Sequence, residues 1–237
     1  RELKTRQDEF FLEWDDVQDR YKEKFDQWLD RFDTDELQAM IDRYKEDNEE
    51  VELIGENDVL RMLPVPEKLE MTLQQALEKR RTSRDFSGEP IAEDKVAALL
   101  WAADGINRKN HKRTTPSALN WQDVSIYVVQ ANGIWKYLPK RHALLFIEGK
   151  DQREHFGEIK TWMKLASQHF VFVSDARRNE TFATKLIDKA FKVDFTDGEL
   201  NERARAINVG VKVQAMYLAA AALGLGCTCR NLPDDSM

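Results

Sequence analysis

A connector with the sequence LPVP, residues 63–66, divides the sequence into two parts with different patterns. Each proline pushes the residue before it into an extended conformation, so the connector is stiff and not helical. Residues 1–50 hold 18 acidic and nine basic side chains, a net charge of −9, whereas the rest of the chain holds 25 and 27, a net charge of +2. This break predicts an acidic helical extension over residues 1–65 and a separate domain over residues 66–237.

The N-terminal part carries a stripe of large aromatic side chains that repeat at helical spacing, which predicts a helix with one aromatic face. The stripe consists of Phe11, Trp14, Tyr21, Phe25, Trp28 and Phe32. A patch of this size is unusual on the surface of a monomer, so residues 1–62 are expected to pack on a protein partner, a second copy or the rest of the chain. Their acidic charge argues against nucleic acid. A disordered tail is the alternative, because more than half of residues 1–50 are charged.

After the connector, predicted helices alternate with predicted strands. Thr72 and Gln75 form a capping-box signature at the start of one helix. Further helices are predicted over residues 93–103, 154–166 and 199–223, the last with Gly224 as its C-cap. Strands are predicted over residues 124–130, 134–138, 143–147 and 169–174, with a hairpin between the second and third and a central position for the fourth. This order predicts a layered α+β or α/β domain.

The composition argues against several classes of protein. No apolar run approaches the roughly 20 residues of a membrane span, so none is expected. Cys227 and Cys229 are too close in sequence to pair readily, and the four histidines are scattered, so neither a disulfide framework nor a metal site is predicted. Unpaired cysteines favour the cytoplasm or another reducing compartment. The sequence starts at Arg1 without an apolar leader, from which we expect a processed or trimmed chain.

Two segments carry side chains suited to a flat anionic ligand. Residues 79–87, KRRTSRDFS, cluster arginines and hydroxyls at the end of a predicted helix, where guanidinium groups could bind phosphate oxygens. The alternative is that these cations only complement the helix dipole. Residues 113–120, RTTPSALN, form a proline-fixed loop of small residues, and Asn120 can both donate and accept hydrogen bonds. The alternative there is an ordinary surface turn.

Together with three further segments, these two resemble the nitroreductase family. The further segments are LLWAADGINR at residues 99–108, the strand and hairpin sequences between residues 127 and 144, and QAMYLAAAALGLG at residues 214–226. The resemblance covers about residues 70–232 and is especially similar to the branch that includes the oxidases of azoline-forming peptide pathways. It implies an α+β, three-layer fold with a central mixed or antiparallel sheet, to which the N-terminal helical extension is added.

In function, the resemblance implies an FMN-dependent oxidoreductase that works as a homodimer with FMN between the subunits. Electrons would pass in ping-pong fashion from NAD(P)H or an organic substrate to an acceptor that the sequence does not identify. Arg80 and Thr82 would hold the phosphate and ribityl chain, with Arg230 as another phosphate contact, and Arg84 would lie near the pyrimidine edge. The flavin would be lined from the partner subunit by Ser117, Ala118 and Asn120. The implied cofactor-binding residues are Arg80, Arg81, Thr82, Arg84, Pro116, Ser117, Ala118, Asn120 and Arg230. No catalytic residue is assigned.

Two departures from the family pattern favour a different hypothesis. Family members usually offer Gln or Asn to the flavin where this chain has EIKT, residues 158–161, and they normally continue beyond the point where this sequence stops, so the domain is short at its C-terminus. A chain altered in this way could keep the fold without the chemistry. The alternative is therefore a redox-silent subunit that acts as a structural or interaction protein in a larger complex, through its acidic extension.

Overall fold

The computed structural model describes residues 58–66, 68–108, 112–157, 161–175, 178 and 198–230. All of these residues belong to one compact unit of the chain. The aromatic stripe between residues 11 and 32 and the unusual residues 158–160 lie outside the described residues. The acidic extension, the domain boundary at residue 65 and a partner for residues 1–62 therefore stay predictions.

The described part of the chain contains five strands and four α-helices, and helices and strands are interspersed along it as the sequence predicts. The strands are β1 (Leu60–Met62), β2 (Val124–Gln130), β3 (Gly133–Leu138), β4 (Ala143–Glu148) and β5 (His169–Ser174). The α-helices are α1 (Leu73–Lys79), α2 (Glu93–Asp104), α3 (Arg153–Gly157) and α4 (Gly198–Ala222). Two 3-10 helices, Ala118–Asn120 and Thr161–Leu165, complete the described elements.

The strands form one sheet in the order β1-β4-β3-β2-β5, and each neighbouring pair is antiparallel. The α+β fold with an antiparallel sheet is thus confirmed. The central position predicted for residues 169–174 is wrong, because β5 lies at an edge of the described sheet. All six of its side chains are only partly buried, as suits a strand with one neighbour. The other edge is β1, which pairs with β4 although it falls within residues 1–65.

Local capping signals are confirmed at two helices. The Thr72 side chain accepts a hydrogen bond from the Gln75 backbone N–H, and the Gln75 side chain accepts one from the Thr72 N–H. At the end of α4, the N–H of Leu225 donates to the carbonyl of Ala220 at 2.8 Å, and Gly224 has a φ of +70°. This is a Schellman ending, in which glycine takes the left-handed position at the least cost.

The helix predicted over residues 154–166 is only partly α-helical in the described residues. Helix α3 covers Arg153–Gly157, and Thr161–Leu165 is a 3-10 helix. The expected α-helix is therefore wrong for residues 161–165, where the backbone forms the tighter 3-10 turns.

The core lies between helix α2, one face of the sheet and the C-terminal half of α4. Its buried members include Val96, Leu99, Leu100, Ile126, Val128, Tyr137, Leu144, Met216, Ala220 and Leu223. Helix α4 therefore has one end in the core, and its earlier turns extend past the end of α2. No helix in the described part of the chain is long and apolar enough to cross a membrane.

Candidate functional site

The arginine-rich segment at residues 79–87 leaves helix α1 and runs beside the chain that follows α4. The N–H of Arg80 donates to the carbonyl of Ala76 at 2.8 Å, which closes the helix. Three residues later the N–H of Ser83 donates to the carbonyl of Cys227 at 2.9 Å. A Cβ atom at Gly226 would lie 3.4 Å from the Ser83 hydroxyl oxygen, an ordinary van der Waals distance, so Gly226 also lies beside Ser83. The two segments, far apart in sequence, are thereby joined.

Arg80 stacks on an aromatic ring from α4. Its guanidinium carbon lies 5.7 Å from the centroid of the Tyr217 ring. The hydroxyl of Tyr217 in turn accepts a hydrogen bond from the backbone N–H of Cys229. A guanidinium that lies over a ring is attracted by the ring face and keeps the N–H donors at its edge for another partner. Tyr217 thus fixes both Arg80 and the segment that carries Arg230.

The 3-10 helix after α3 meets the other two arginines. The Arg84 guanidinium lies 5.8 Å from the centroid of the Trp162 ring, and Arg230 Nη1 donates to the sulfur of Met163 at 3.3 Å. Arg80, Arg84 and Arg230 come from two ends of the domain sequence, and we call them the arginine patch. Arg84 is exposed and the other two are half-buried. Such a group of guanidinium donors is suited to bind an anion such as a phosphate.

Two sequence neighbours of the patch arginines are exposed, as Arg84 is. Arg81 and Thr82, both predicted to bind the cofactor, lie on the surface between Arg80 and Ser83. The structure therefore brings the sequence-predicted residues of the first segment close to Arg230, which was predicted from a separate turn. Residues 158–160, where the family pattern departs, lie outside the described residues.

The second predicted segment begins at the end of helix α2. The N–H of Thr114 donates to the Gly105 carbonyl at 2.8 Å, and its hydroxyl donates to the Trp101 carbonyl at 3.0 Å. A Cβ at Gly105 would lie only 2.2 Å from the Trp101 ring, so no larger residue fits there. The hydroxyl of Thr115 donates to the Ala103 carbonyl at 2.7 Å. The Thr115 bond satisfies a carbonyl that the helix end leaves without a partner, and the three bonds together anchor the loop on α2.

The rest of this segment is a tight loop whose small residues are partly accessible. The Ser117 hydroxyl accepts the N–H of Gln122 at 3.0 Å, and the Asn120 side-chain oxygen accepts the Gln122 side-chain amide at 3.3 Å. Pro116 is exposed, while Ser117, Ala118 and Asn120 are half-buried. The segment is therefore folded into a defined shape, more ordered than an ordinary surface turn requires.

Four buried polar residues lie beneath this loop, and none of them was predicted as functional. We call Asp104, Asp123, Asn208 and Lys212 the buried polar cluster. Lys212 is 1% exposed and forms an ion pair with Asp104. Asp123 accepts from the Asn208 amide at 2.7 Å and from the Ser174 hydroxyl at 2.6 Å. One sequence signal could have revealed two of them, because positions 208 and 212 are polar and one helical turn apart in an otherwise apolar stretch.

The two predicted segments contact helix α4 at different places. The loop contacts α4 through Asn208, whereas the arginine patch contacts α4 through Tyr217. These helix residues are nine positions apart, which corresponds to about 13 Å along the axis and about half a turn around it. The two halves of the predicted flavin site thus contact opposite faces of α4.

The family model for the nitroreductase family matches residues 77–236. The chain belongs to the nitroreductase family. The match includes both segments, α4 and the turn with Arg230, so the site described above lies in the part of the chain that defines this family. In the described residues there is no group of three or more potential metal ligands.

Individual relatives agree with this assignment. A candidate nitroreductase of Methanocaldococcus jannaschii is 27% identical over 170 residues, which are 69% of this chain and 80% of the relative. The structure of a candidate nitroreductase from Ralstonia eutropha superposes with a TM-score of 0.60 at 26% identity, over 73% of this chain and 76% of the other. One from Anabaena variabilis shares the fold, with a TM-score of 0.53 at 19% identity, over 71% of this chain and 35% of the other.

Proposed function

We propose that this nitroreductase-family chain is an FMN-dependent oxidoreductase that takes electrons from NAD(P)H or an organic substrate and passes them to a second substrate. The observation that carries the proposal is the convergence of the arginine patch from separate segments onto Tyr217, Trp162 and Met163. Guanidinium groups on neighbouring segments present planar sets of donors that match phosphate oxygens.

The residues of the patch fit the phosphate end of FMN. Arg80 is oriented by the ring of Tyr217, Arg230 is held beside Met163, and the hydrogen bond from Ser83 to Cys227 joins their two segments. In this proposal both guanidiniums bind the phosphate, and the exposed Arg81 and Thr82 bind the phosphate and ribityl chain. When bound, FMN supplies the redox chemistry itself. The chain contributes position and charge, and Arg84 would stabilise negative charge at the pyrimidine edge of the ring.

A homodimer follows from the position of the two segments on α4. Because they contact opposite faces of that helix, one complete site requires the arginine patch of one chain and the loop at residues 116–120 of another. Helix α4 offers a surface for such contact: Ile207 is 65% exposed, and a Cβ at Gly210 would have no neighbouring atom within 4 Å. Apolar and small residues exposed along one helix face favour close packing against a second copy.

The dimer is tested by light scattering at micromolar concentration with FMN present. The wild-type chain is expected to have the mass of a dimer, and Gly210→Glu is expected to shift the mass to that of a monomer, since it places a charge in the contact. Glu202→Gln, another exposed change on α4, is the matched control. A wild-type monomer that binds FMN would contradict the dimer.

The flavin is tested by the absorbance spectrum of the purified protein and by titration with FMN. Wild-type protein is expected to bind FMN and to oxidise NADH or NADPH, while Arg80→Ala loses most of its FMN affinity. Arg141→Ala, an exposed arginine in the β3–β4 turn, serves as control. A wild-type chain that neither binds FMN nor oxidises a nicotinamide would support the second candidate, a redox-silent interaction subunit, which the altered residues 158–161 favour.

A further inference from the structure

The loop at residues 115–122 has an unusual backbone shape. Asn120 has a φ of +58° and Gln122 a φ of +48°, so two residues other than glycine take the left-handed conformation within one turn. Such residues adopt this conformation at a cost, and they keep it only where the surrounding structure determines it. The contacts that hold the loop are therefore of interest in themselves.

Lys212 holds the start of the loop. Its ammonium group donates to the Thr115 hydroxyl at 3.3 Å and pairs with the Asp104 carboxylate. The Thr115 hydroxyl itself donates a hydrogen bond to the carbonyl of Ala103 at 2.7 Å, so it acts as both donor and acceptor. Lys212 and Asp104 are thus linked to the first residue of the loop through one buried hydroxyl.

Asn208, one turn earlier on α4, holds the middle of the loop and Asp123, the residue that follows it. Its side-chain oxygen accepts the N–H of Ala118 at 2.8 Å, and its amide donates to Asp123 at 2.7 Å. Arg113 completes the arrangement at the far end, where its Nε donates to the Gln122 side-chain oxygen at 3.1 Å. Three points of one short loop are therefore held by two polar positions on α4 and by Arg113.

Stability alone does not explain these residues. Burial lowers the pKa of Lys212 from its ordinary value, and the Asp104 carboxylate opposes that shift. Replacing a buried ion pair by apolar residues of similar volume is often neutral or stabilising. Since the same face of α4 continues with the core residue Met216, an apolar face one turn longer would serve the core equally well. What the polar residues provide is direction, because Lys212 bonds to Thr115 and Asn208 bonds to Ala118, so each of them has a hydrogen bond to the loop.

We infer that Asn208 and Lys212 are positioning residues that hold the 115–122 loop in the shape in which Ser117, Ala118 and Asn120 face the flavin of the partner subunit. The holding of the loop stands on the contacts above, and its purpose rests on the proposed function. The two parts can be separated by experiment, since loop order is measurable without FMN.

The first measurement is amide hydrogen exchange of the protein without FMN. Two variants are used: Asn208→Ala, and the double variant Asp104→Asn/Lys212→Met, which removes both members of the Lys212–Asp104 pair. Arg113, whose Nε lies 3.9 Å from the Asp104 carboxylate, keeps its hydrogen bonds to Gln122 and to the carbonyl of residue 104 in the double variant. The N–H groups of Ala118, Asn120, Trp121 and Gln122 all have partners within the loop or on α4. Their exchange is expected to rise at least tenfold in both variants. Leu144→Ala, a core change in β4 far from the loop in sequence, is the control. It lowers the stability of the whole domain, but exchange through local opening of the loop should stay at the wild-type rate.

The second measurement is FMN titration with visible circular dichroism, which reports how the bound flavin is oriented. Asn208→Ala and the double variant are expected to weaken FMN binding about tenfold and to change the dichroism. Lys212→Arg keeps a cation at this position and is expected to keep most of the wild-type FMN affinity and dichroism. Loop exchange at the wild-type rate would overturn the inference. Faster loop exchange with unchanged flavin affinity and dichroism would also overturn it. If the wild type binds no FMN, the proposed function fails, and the exchange data still decide whether these residues hold the loop.

Discussion

The arginine patch and the buried polar cluster are both groups of charged side chains beside helix α4, and they differ in what satisfies them. Asp104, Asp123, Asn208 and Lys212 satisfy one another and the 115–122 loop within the chain. The patch arginines contact aromatic rings and a sulfur, and Arg84 among them is exposed to solvent. The contrast separates charges that shape the protein from charges that are suited to bind a ligand.

The largest expected effect is on stability and concerns Lys212. Lys212→Met removes the ammonium partner of the buried Asp104 carboxylate and leaves it with Arg113, whose Nε lies 3.9 Å away, so we expect the free energy of unfolding to fall by about 3 kcal/mol, the lower end of the cost of breaking a buried ion pair. Urea unfolding followed by fluorescence measures this. The double variant Asp104→Asn/Lys212→Met is the control and should recover most of the loss. A single variant as stable as the wild type would show that the cluster is not held by this ion pair.

A second prediction concerns Arg230, in the arginine patch. Arg230→Ala removes a charged donor from the proposed phosphate site, and a hydrogen bond to a charged group contributes about 1.5–3 kcal/mol. FMN affinity should therefore fall about ten- to 150-fold, whereas the free energy of unfolding in urea without FMN should fall by no more than about 1 kcal/mol, for the lost contact with Met163. The opposite pattern, with stability lost and FMN affinity kept, would place Arg230 with the structural charges and remove the distinction between the two regions.

His169, on the edge strand β5, gives a reference outside both regions. Burial, helped by the Arg153 guanidinium and opposed by the Asp151 carboxylate, lowers the pKa of His169 from 6.5 to about 4. The unfolded chain takes up this proton near pH 6.5 and the folded chain only near pH 4, so the free energy of unfolding falls as the pH falls through that window. In urea unfolding between pH 7 and pH 4, His169→Gln should flatten the dependence. The exposed His155→Gln is the control, and equal slopes for all three proteins would refute the assignment.

The smallest expected effect tests whether exposed polar side chains can also be structural. Thr72 is exposed and caps helix α1, the helix that presents Arg80. Thr72→Ala removes the cap and should lower the free energy of unfolding by about 1 kcal/mol. Ser87→Ala, an exposed hydroxyl outside any helix, is the matched control for thermal or urea unfolding. A change larger than that of Lys212→Met would show that exposure is a poor guide to which charges and hydroxyls are structural.

Much of the fold could be predicted because its signals are local. The Thr72–Gln75 capping box, the alternation in β2 and the glycine ending of α4 each depend on residues within a few positions of one another. Short-range hydrogen bonds and side-chain periodicity decide such features, and both can be read along the sequence. The edge position of β5 depends instead on which strands pair, and the periodicity of a single strand contains no information about its neighbours.

For the candidate site, the sequence by itself determined which residues could bind an anion and which loop could approach a flat ligand. Only the tertiary structure decided that Asp104 and Lys212, 108 positions apart, share one buried ion pair, and that Asn208 reaches Ala118 across 90 positions. It also decided that the loop and the arginine patch contact opposite faces of α4. The physical reason is that these relations arise when helices and strands pack, since burial and hydrogen-bond partners are set by neighbours in space.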